Sequence, residues 1–175
     1  MQFYDKNIQI ALPKDVGALV KLLNNAYRGE ASKKGWTTEA HLIGGEVRTD
    51  ETSVLDVIGK EGSVMLKYSN DTGTIVGCVN LQKHLNKIYL GMFSVSPEQQ
   101  GLGIGKKILN AAEEYAKENN TDAIYMTVIS LRTELIEWYK RHGYVDTGKK
   151  QPFDEDGLTG NHLQPLEFII LEKKV

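Results

Sequence analysis

The apolar positions of this chain follow a helical spacing in its first third and an extended one through its middle. Residues 8–12 alternate loosely, as a short strand does, and Pro13-Lys14-Asp15 then opens a stretch with Val16, Leu19, Leu23 and Ala26 apolar. That spacing is one face of a helix, with Asp15 as the expected N-cap. After a glycine-containing connection at residues 29–35, residues 36–43 predict a short second helix stopped by Gly44-Gly45. Residues 49–58 predict a further helical turn or two ending at Gly59.

From residue 63 the pattern becomes period two or continuously apolar, over residues 63–68, 74–82 and 87–95. Asn70-Asp71-Thr72-Gly73 and Leu85-Asn86 supply turn chemistry between these runs, so the middle reads as an antiparallel three-stranded meander. An amphipathic helix follows, with Ile104, Ile108, Ala111, Ala112 and Tyr115 on one face and Lys107, Asn110, Glu114 and Lys117 on the other. Asn119-Asn120 marks its end. Residues 123–129 predict a strand, 131–141 a helix closed by Gly143, 144–147 extended chain and 166–171 a last strand. Residues 148–165 are left as one long irregular loop near the site. This order predicts an α+β fold, a mixed α/β sandwich, in a single domain spanning residues 1–175.

The segment with the clearest chemistry runs from Ser94 through Gln100-Gly101-Leu102-Gly103-Ile104-Gly105-Lys106, where a strand turns directly into a helix. Three glycines let the backbone bend tightly and aim N–H groups outward at a helix N-terminus, an arrangement that binds phosphate oxygens. The spacing excludes two familiar phosphate loops. A P-loop needs glycine where Gln100 stands and a hydroxyl where Lys107 stands, and the dinucleotide G-x-G-x-x-G would need its third glycine at Lys106.

The pattern that fits is Q/R-x-x-G-x-G/A, and in it the sequence resembles the GNAT superfamily of N-acetyltransferases. A second block, Trp138-Tyr139-Lys140-Arg141-His142-Gly143-Tyr144, resembles that family's aromatic-Tyr-x-x-x-Gly-aromatic signature. The resemblance implies a central, mostly antiparallel sheet flanked by helices, with acetyl-CoA as cosubstrate and no metal. Gln100, Gly101, Leu102, Gly103, Ile104, Gly105 and Lys106 are then expected at the pyrophosphate. Unpaired backbone near Phe93, Ser94 and Val95 is expected to hydrogen-bond the pantetheine arm in a gap between residues 89–95 and 123–129. Tyr139 is implied as the acid that protonates the departing thiolate, a role that suits a phenol neutral at pH 7. The family often has Asn seven residues before that tyrosine, and this chain has Arg132, which is expected to contact the cofactor instead.

The acceptor implied is a primary amine on a small molecule or peptide. Tyr27, Trp36 and residues 153–162 are expected to line its pocket. Glu30, Glu39, Glu46 and His84 are candidates for the base by residue type alone. The competing reading is a sensor that holds CoA or an acyl-CoA without turnover.

Composition narrows the partners further. A formal charge of −2, made of interleaved Lys, Arg, Asp and Glu, gives no basic stripe for nucleic acid. The absence of a charged-then-apolar leader and of a long apolar run leads us to expect a cytoplasmic protein without a membrane partner. The one cysteine, Cys78, sits in an apolar run and reads as buried filler. A homodimer is an expectation from the family resemblance alone.

Overall fold

The three apolar runs of the middle form consecutive antiparallel strands in the computed structural model, which describes residues 1–175. In chain order the strands are β1 (Ile8–Ile10), β2 (Ile43–Gly44), β3 (Ser63–Ser69), β4 (Ile75–His84), β5 (Lys87–Val95), β6 (Ala123–Ile129), β7 (Val145–Pro152), β8 (Asn161–His162) and β9 (Glu167–Lys174). The helices are α1 (Val16–Tyr27), α2 (Gly29–Ser32), α3 (Glu51–Gly59), α4 (Ile104–Glu118) and α5 (Thr133–Arg141). One seven-stranded sheet runs β1-β3-β4-β5-β6-β9-β7. Every neighbouring pair in it is antiparallel except β5 with β6. The parallel step is a consequence of chain order, because α4 carries the chain from the end of β5 back to the start of β6.

Helices cover both faces of this sheet. Leu19, Leu22, Leu23 and Ala26 of α1 pack with Met65 and Cys78 on one side. Ile104, Ile108, Leu109, Ala112 and Tyr115 of α4 pack with Val79, Leu81 and Ile124 on the other. Gly77 of β4 permits the close approach of α4, since a Cβ there would stand 2.6 Å from Ile108 Cδ1. Cys78 is fully buried, and burial pushes its thiol up to about 12. The native protein should therefore resist a thiol reagent at pH 8 and react once denatured; rapid labelling of folded protein would contradict this packing.

Two expected elements are corrected. Residues 36–43 form turns and the start of β2, not a helix, because their backbone is tethered from outside. Trp36 N–H donates to Gln100 Oε1 at 3.0 Å, Arg132 donates to the Thr37 carbonyl, and Glu39 N–H donates to the Tyr27 carbonyl at 3.0 Å. Residues 148–165 are not one irregular loop, since β7 continues to Pro152 and β8 pairs with β2. Asp15 stands at the helix start as expected but does not cap it. Its carboxylate accepts from Leu12 N–H and Lys67 Nζ, both at 2.8 Å. The side chain that does cap a helix is Asp50, accepting from Ser53 N–H at 2.8 Å at the head of α3.

Candidate active site

Strands β5 and β6 pair only over Lys87–Ala123, Ile88–Ile124 and Tyr89–Tyr125, and then diverge. At the point of divergence β5 carries a bulge: Gly91 faces Asn80 and Ser94 faces Cys78, so two β5 residues stand opposite Val79 alone. Met92 in this bulge has φ +48°, an uncommon conformation for a residue with a side chain, and its carbonyl accepts from Cys78 Sγ at 3.4 Å. The bulge and the lost β6 pairing together leave the far half of β5 with one edge open. With Met92, three carbonyls of that half already accept from side chains, Phe93 from the Tyr27 hydroxyl and Val95 from Gln100 Nε2 at 3.1 Å. The expected free backbone is therefore narrower than the sequence implied. It is supplemented by the Ser94 hydroxyl, which is buried without a partner.

The chain leaves β5 through Pro97–Gln99, a single 3-10 turn, and enters α4 by the glycine turn. Gly101 and Gly103 have φ +85° and +79°, a region that favours glycine, and a Cβ on either would meet nothing within 4 Å. Their requirement is conformational. Gly105 differs, because a Cβ there would lie 3.3 Å from the Trp138 ring and 3.4 Å from that of Phe93. The first helical bond of α4 runs from Lys107 N–H to the Gly103 carbonyl, so the N–H groups of Ile104, Gly105 and Lys106 have no partner within the helix. No acidic residue occupies this first turn and no side chain caps it. Its positive dipole end is thus free for an anion.

This helix end opens on a cleft of about 690 Å³ lined by Phe93, Ser94 and Val95 of β5, by Gln100, Gly101, Gly103, Ile104, Gly105 and Lys106, and by one face of α5. Leu102 is exposed and does not line it. Gln100 turns its amide inward, tying residues 36 and 37 to the end of β5 through Trp36 N–H, the Thr37 hydroxyl and the Val95 carbonyl. Replacing Gly103 with Val should weaken acetyl-CoA binding about tenfold or more, because a β-branched residue at positive φ costs roughly 1–2 kcal/mol and reshapes the turn. Gly73→Val, at the same φ of +79° in the β3–β4 turn, is the control and should leave binding unaltered. Equal affinities of both variants and the parent would contradict the cradle.

A second cavity of about 420 Å³ lies beyond the diverging strands. Tyr27, Phe93, Leu135 and Tyr139 line both spaces, so the two meet at these side chains. Tyr139 is 4% exposed and packs edge-on against Trp138 and Tyr144, with centroids at 5.2 and 5.7 Å. Burial, reinforced by the neighbouring Tyr27, holds its hydroxyl well above the usual phenol value of 10.0, so it is fully protonated at neutral pH.

The second cavity contains a buried ion cluster that sequence spacing does not reveal. Glu39 accepts from Arg28 on one carboxylate oxygen and from Arg132, at 3.0 Å, on the other. Burial raises the Glu39 pKa, but Arg132, Arg48 and Arg28 outweigh it and hold the carboxylate below its ordinary value. Arg132 is thereby corrected: it lines this second cavity and is committed to Glu39 and the Thr37 carbonyl rather than to the first cleft. Trp36 is corrected in the opposite sense. It borders the first cleft, 6.2 Å from Trp138, and does not reach the second cavity. Phe153, Asp156, Leu158 and Thr159 do line the second cavity. Among the proposed bases, His84 contacts Tyr125 and Glu30 pairs with exposed Lys33, both outside either space, and Glu46 lines neither. Glu39 is present but ion-paired twice.

The sequence pattern of the Acetyltransferase (GNAT) family matches residues 22–144, more than half of the chain. The chain belongs to the GNAT family. No curated protein matches this GNAT chain, and its likeness to solved structures is one of fold. It is similar to the ribosomal-protein-S18-alanine N-acetyltransferase from Escherichia coli, with 13% identity, a TM-score of 0.70 and coverage of 96% of this chain and 92% of that one. A GNAT-family acetyltransferase from Staphylococcus aureus Mu50 gives 19% identity, a TM-score of 0.68 and coverage of 96% and 98%. The PaiA N-acetyltransferase from Thermoplasma acidophilum, solved in complex with coenzyme A, gives 20%, 0.65, 96% and 99%. Membership of this family supports acyl transfer in general. No helix is long and apolar enough to cross a membrane.

Proposed function

We propose that this protein transfers an acetyl group from acetyl-CoA to a primary amine of a small molecule or peptide, by direct attack with both substrates bound. The observation that carries the proposal is the meeting of two cavities at Tyr139, one floored by an open helix N-terminus and the other lined by a buried ion cluster. Two substrates in adjoining spaces are held for reaction without a covalent enzyme intermediate, which would need a nucleophile; Cys78, whose thiol is buried and raised, is committed to the core.

The residues of the first cleft fit a long phosphorylated cosubstrate. The free N–H groups of Ile104, Gly105 and Lys106 would hold the pyrophosphate with Lys106 nearby, and Ser94 with the open edge of β5 would hold the pantetheine arm. Bound acetyl-CoA supplies a thioester, whose carbon–sulfur bond breaks as the bond to the amine nitrogen forms. Tyr139, protonated at neutral pH, would donate its proton to the departing sulfur, and the proton shed by the attacking nitrogen would return to the phenolate, so that the enzyme ends the cycle as it began. A backbone N–H of β5 beyond its last pairing with β6 would stabilise negative charge on the carbonyl oxygen.

Calorimetric titration with acetyl-CoA, CoA and ATP tests the first cleft. Both CoA species should bind at micromolar affinity or tighter, and ATP weakly. Absence of CoA binding would overturn the proposal. Tight binding without CoA release from acetyl-CoA across an amine panel would instead establish a sensor.

A further inference from the structure

We propose, resting on the acetyl-transfer reading above, that the acceptor is an amino acid with an apolar side chain, and that Arg48 holds its carboxylate in the second cavity. The charges lining that cavity do not balance. Arg28, Arg48 and Arg132 face Glu39 and Asp156. Arg28 and Arg132 share the two oxygens of Glu39, and each also donates to a backbone carbonyl, Arg28 to Thr159 at 2.8 Å and Arg132 to Thr37. Asp156 is committed to its own loop, accepting from Leu158 N–H at 2.9 Å and from Thr159 N–H at 2.8 Å.

Arg48 alone has no carboxylate within ion-pair distance. Its guanidinium carbon lies 4.6 Å from the Tyr27 ring centroid, and its backbone N–H is fixed by Asn24 Oδ1 at 2.7 Å. An aromatic ring attracts the cation without satisfying its N–H groups, and these make no hydrogen bond elsewhere in the protein, so they remain for a planar, two-oxygen partner. A carboxylate is that partner. One guanidinium in excess of the carboxylates beside a half-enclosed cavity favours an anionic ligand over a second cation, so polyamines are disfavoured.

The rest of the wall selects the ligand's body. Met92, Met126, Phe153 and Phe168 border the same space, and Phe153 and Phe168 stack with centroids 4.2 Å apart. These groups suit an aliphatic or aromatic side chain. Position relative to the chemistry follows from Tyr27, which carries Arg48 on its ring, bonds the Phe93 carbonyl through its hydroxyl and lines both spaces. A carboxylate on Arg48 therefore leaves the amine of the same molecule next to the junction at Tyr139.

The test compares L-methionine and L-phenylalanine with their carboxamides in CoA release from acetyl-CoA. The carboxamides have the less basic amines and offer more free amine at neutral pH, so a preference for the acids must come from recognition of the carboxylate. We expect kcat/KM at least tenfold higher for the acids. Arg48→Gln should bring the acid-to-amide ratio close to one, chiefly through KM for the acid, and Arg48→Lys should restore part of it. Equal turnover of acids and amides by the parent protein, or an unchanged ratio in Arg48→Gln, would overturn the assignment. Calorimetry of the CoA-bound protein with N-acetyl-L-methionine and its carboxamide reads the carboxylate site without catalysis. Tighter binding of the acid with no CoA release would retain this site and reject acetyl transfer, whereas equal binding would reject the site itself.

Discussion

Replacing Tyr139 with Phe is expected to lower kcat by about a hundred- to ten-thousandfold while leaving the affinity for acetyl-CoA nearly unchanged, the magnitude ordinarily supplied by a positioned general acid. The substitution removes one oxygen from a side chain that lies 4% exposed between Phe93, Trp138 and Tyr144. The aromatic packing survives, so the folded protein and its cleft persist. The loss should fall on kcat and kcat/KM equally, since the proton is needed as the carbon–sulfur bond breaks. A variant that turns over at the parent rate would remove Tyr139 from the acid role and leave it as packing.

Glu39→Ala should be the most damaging change to stability outside the apolar core. It leaves the Arg28 and Arg132 guanidiniums, which are 1% and 7% exposed at the side chain, without their shared counter-ion. Breaking a buried ion cluster from one side typically costs roughly 3–5 kcal/mol. For a chain of 175 residues this lowers Tm by on the order of 10 °C. The same cluster sets a pH dependence. The pKa of Glu39 is depressed in the folded state, so its contribution is complete above the ordinary carboxylate value of 4.5 and is lost as pH falls through the lower folded value. Thermal unfolding should show the parent's advantage over Glu39→Ala shrinking in acid. A constant difference between the two from pH 7 to pH 3 would contradict the depressed pKa.

The parts of this protein fixed by local chemistry were legible in its sequence. Strands β5 and β6 coincide with the apolar runs at 87–95 and 123–129, because turn residues bound both. Gly143 closes α5 with φ +92°, as a glycine after a helix does. The spacing of Gln100, Gly101, Gly103 and Gly105 located the turn at the mouth of the first cleft.

What local pattern could not convey was pairing between distant segments. Arg132 meets Glu39 across 93 positions of sequence, and no periodicity links them. Residues 36–43 have enough helical character to predict a helix, yet Gln100 and Arg132 claim their backbone groups from other elements. Strand β8 is two residues long and exists through its pairing with β2. The second cavity is assembled from such long-range contacts, and so Arg48, its unpaired cation, carried no signal along the chain.

Whether two substrates meet at Tyr139 for acetyl transfer is read by mass spectrometry of acetyl-CoA incubated with the protein and an amine panel, alongside free-thiol release. Thiol release should depend on both amine and protein, run in step with an N-acetylated product, and fall strongly in Tyr139→Phe. Thiol release without acetylated amine, or no release from protein that binds CoA tightly, would contradict acetyl transfer at this site.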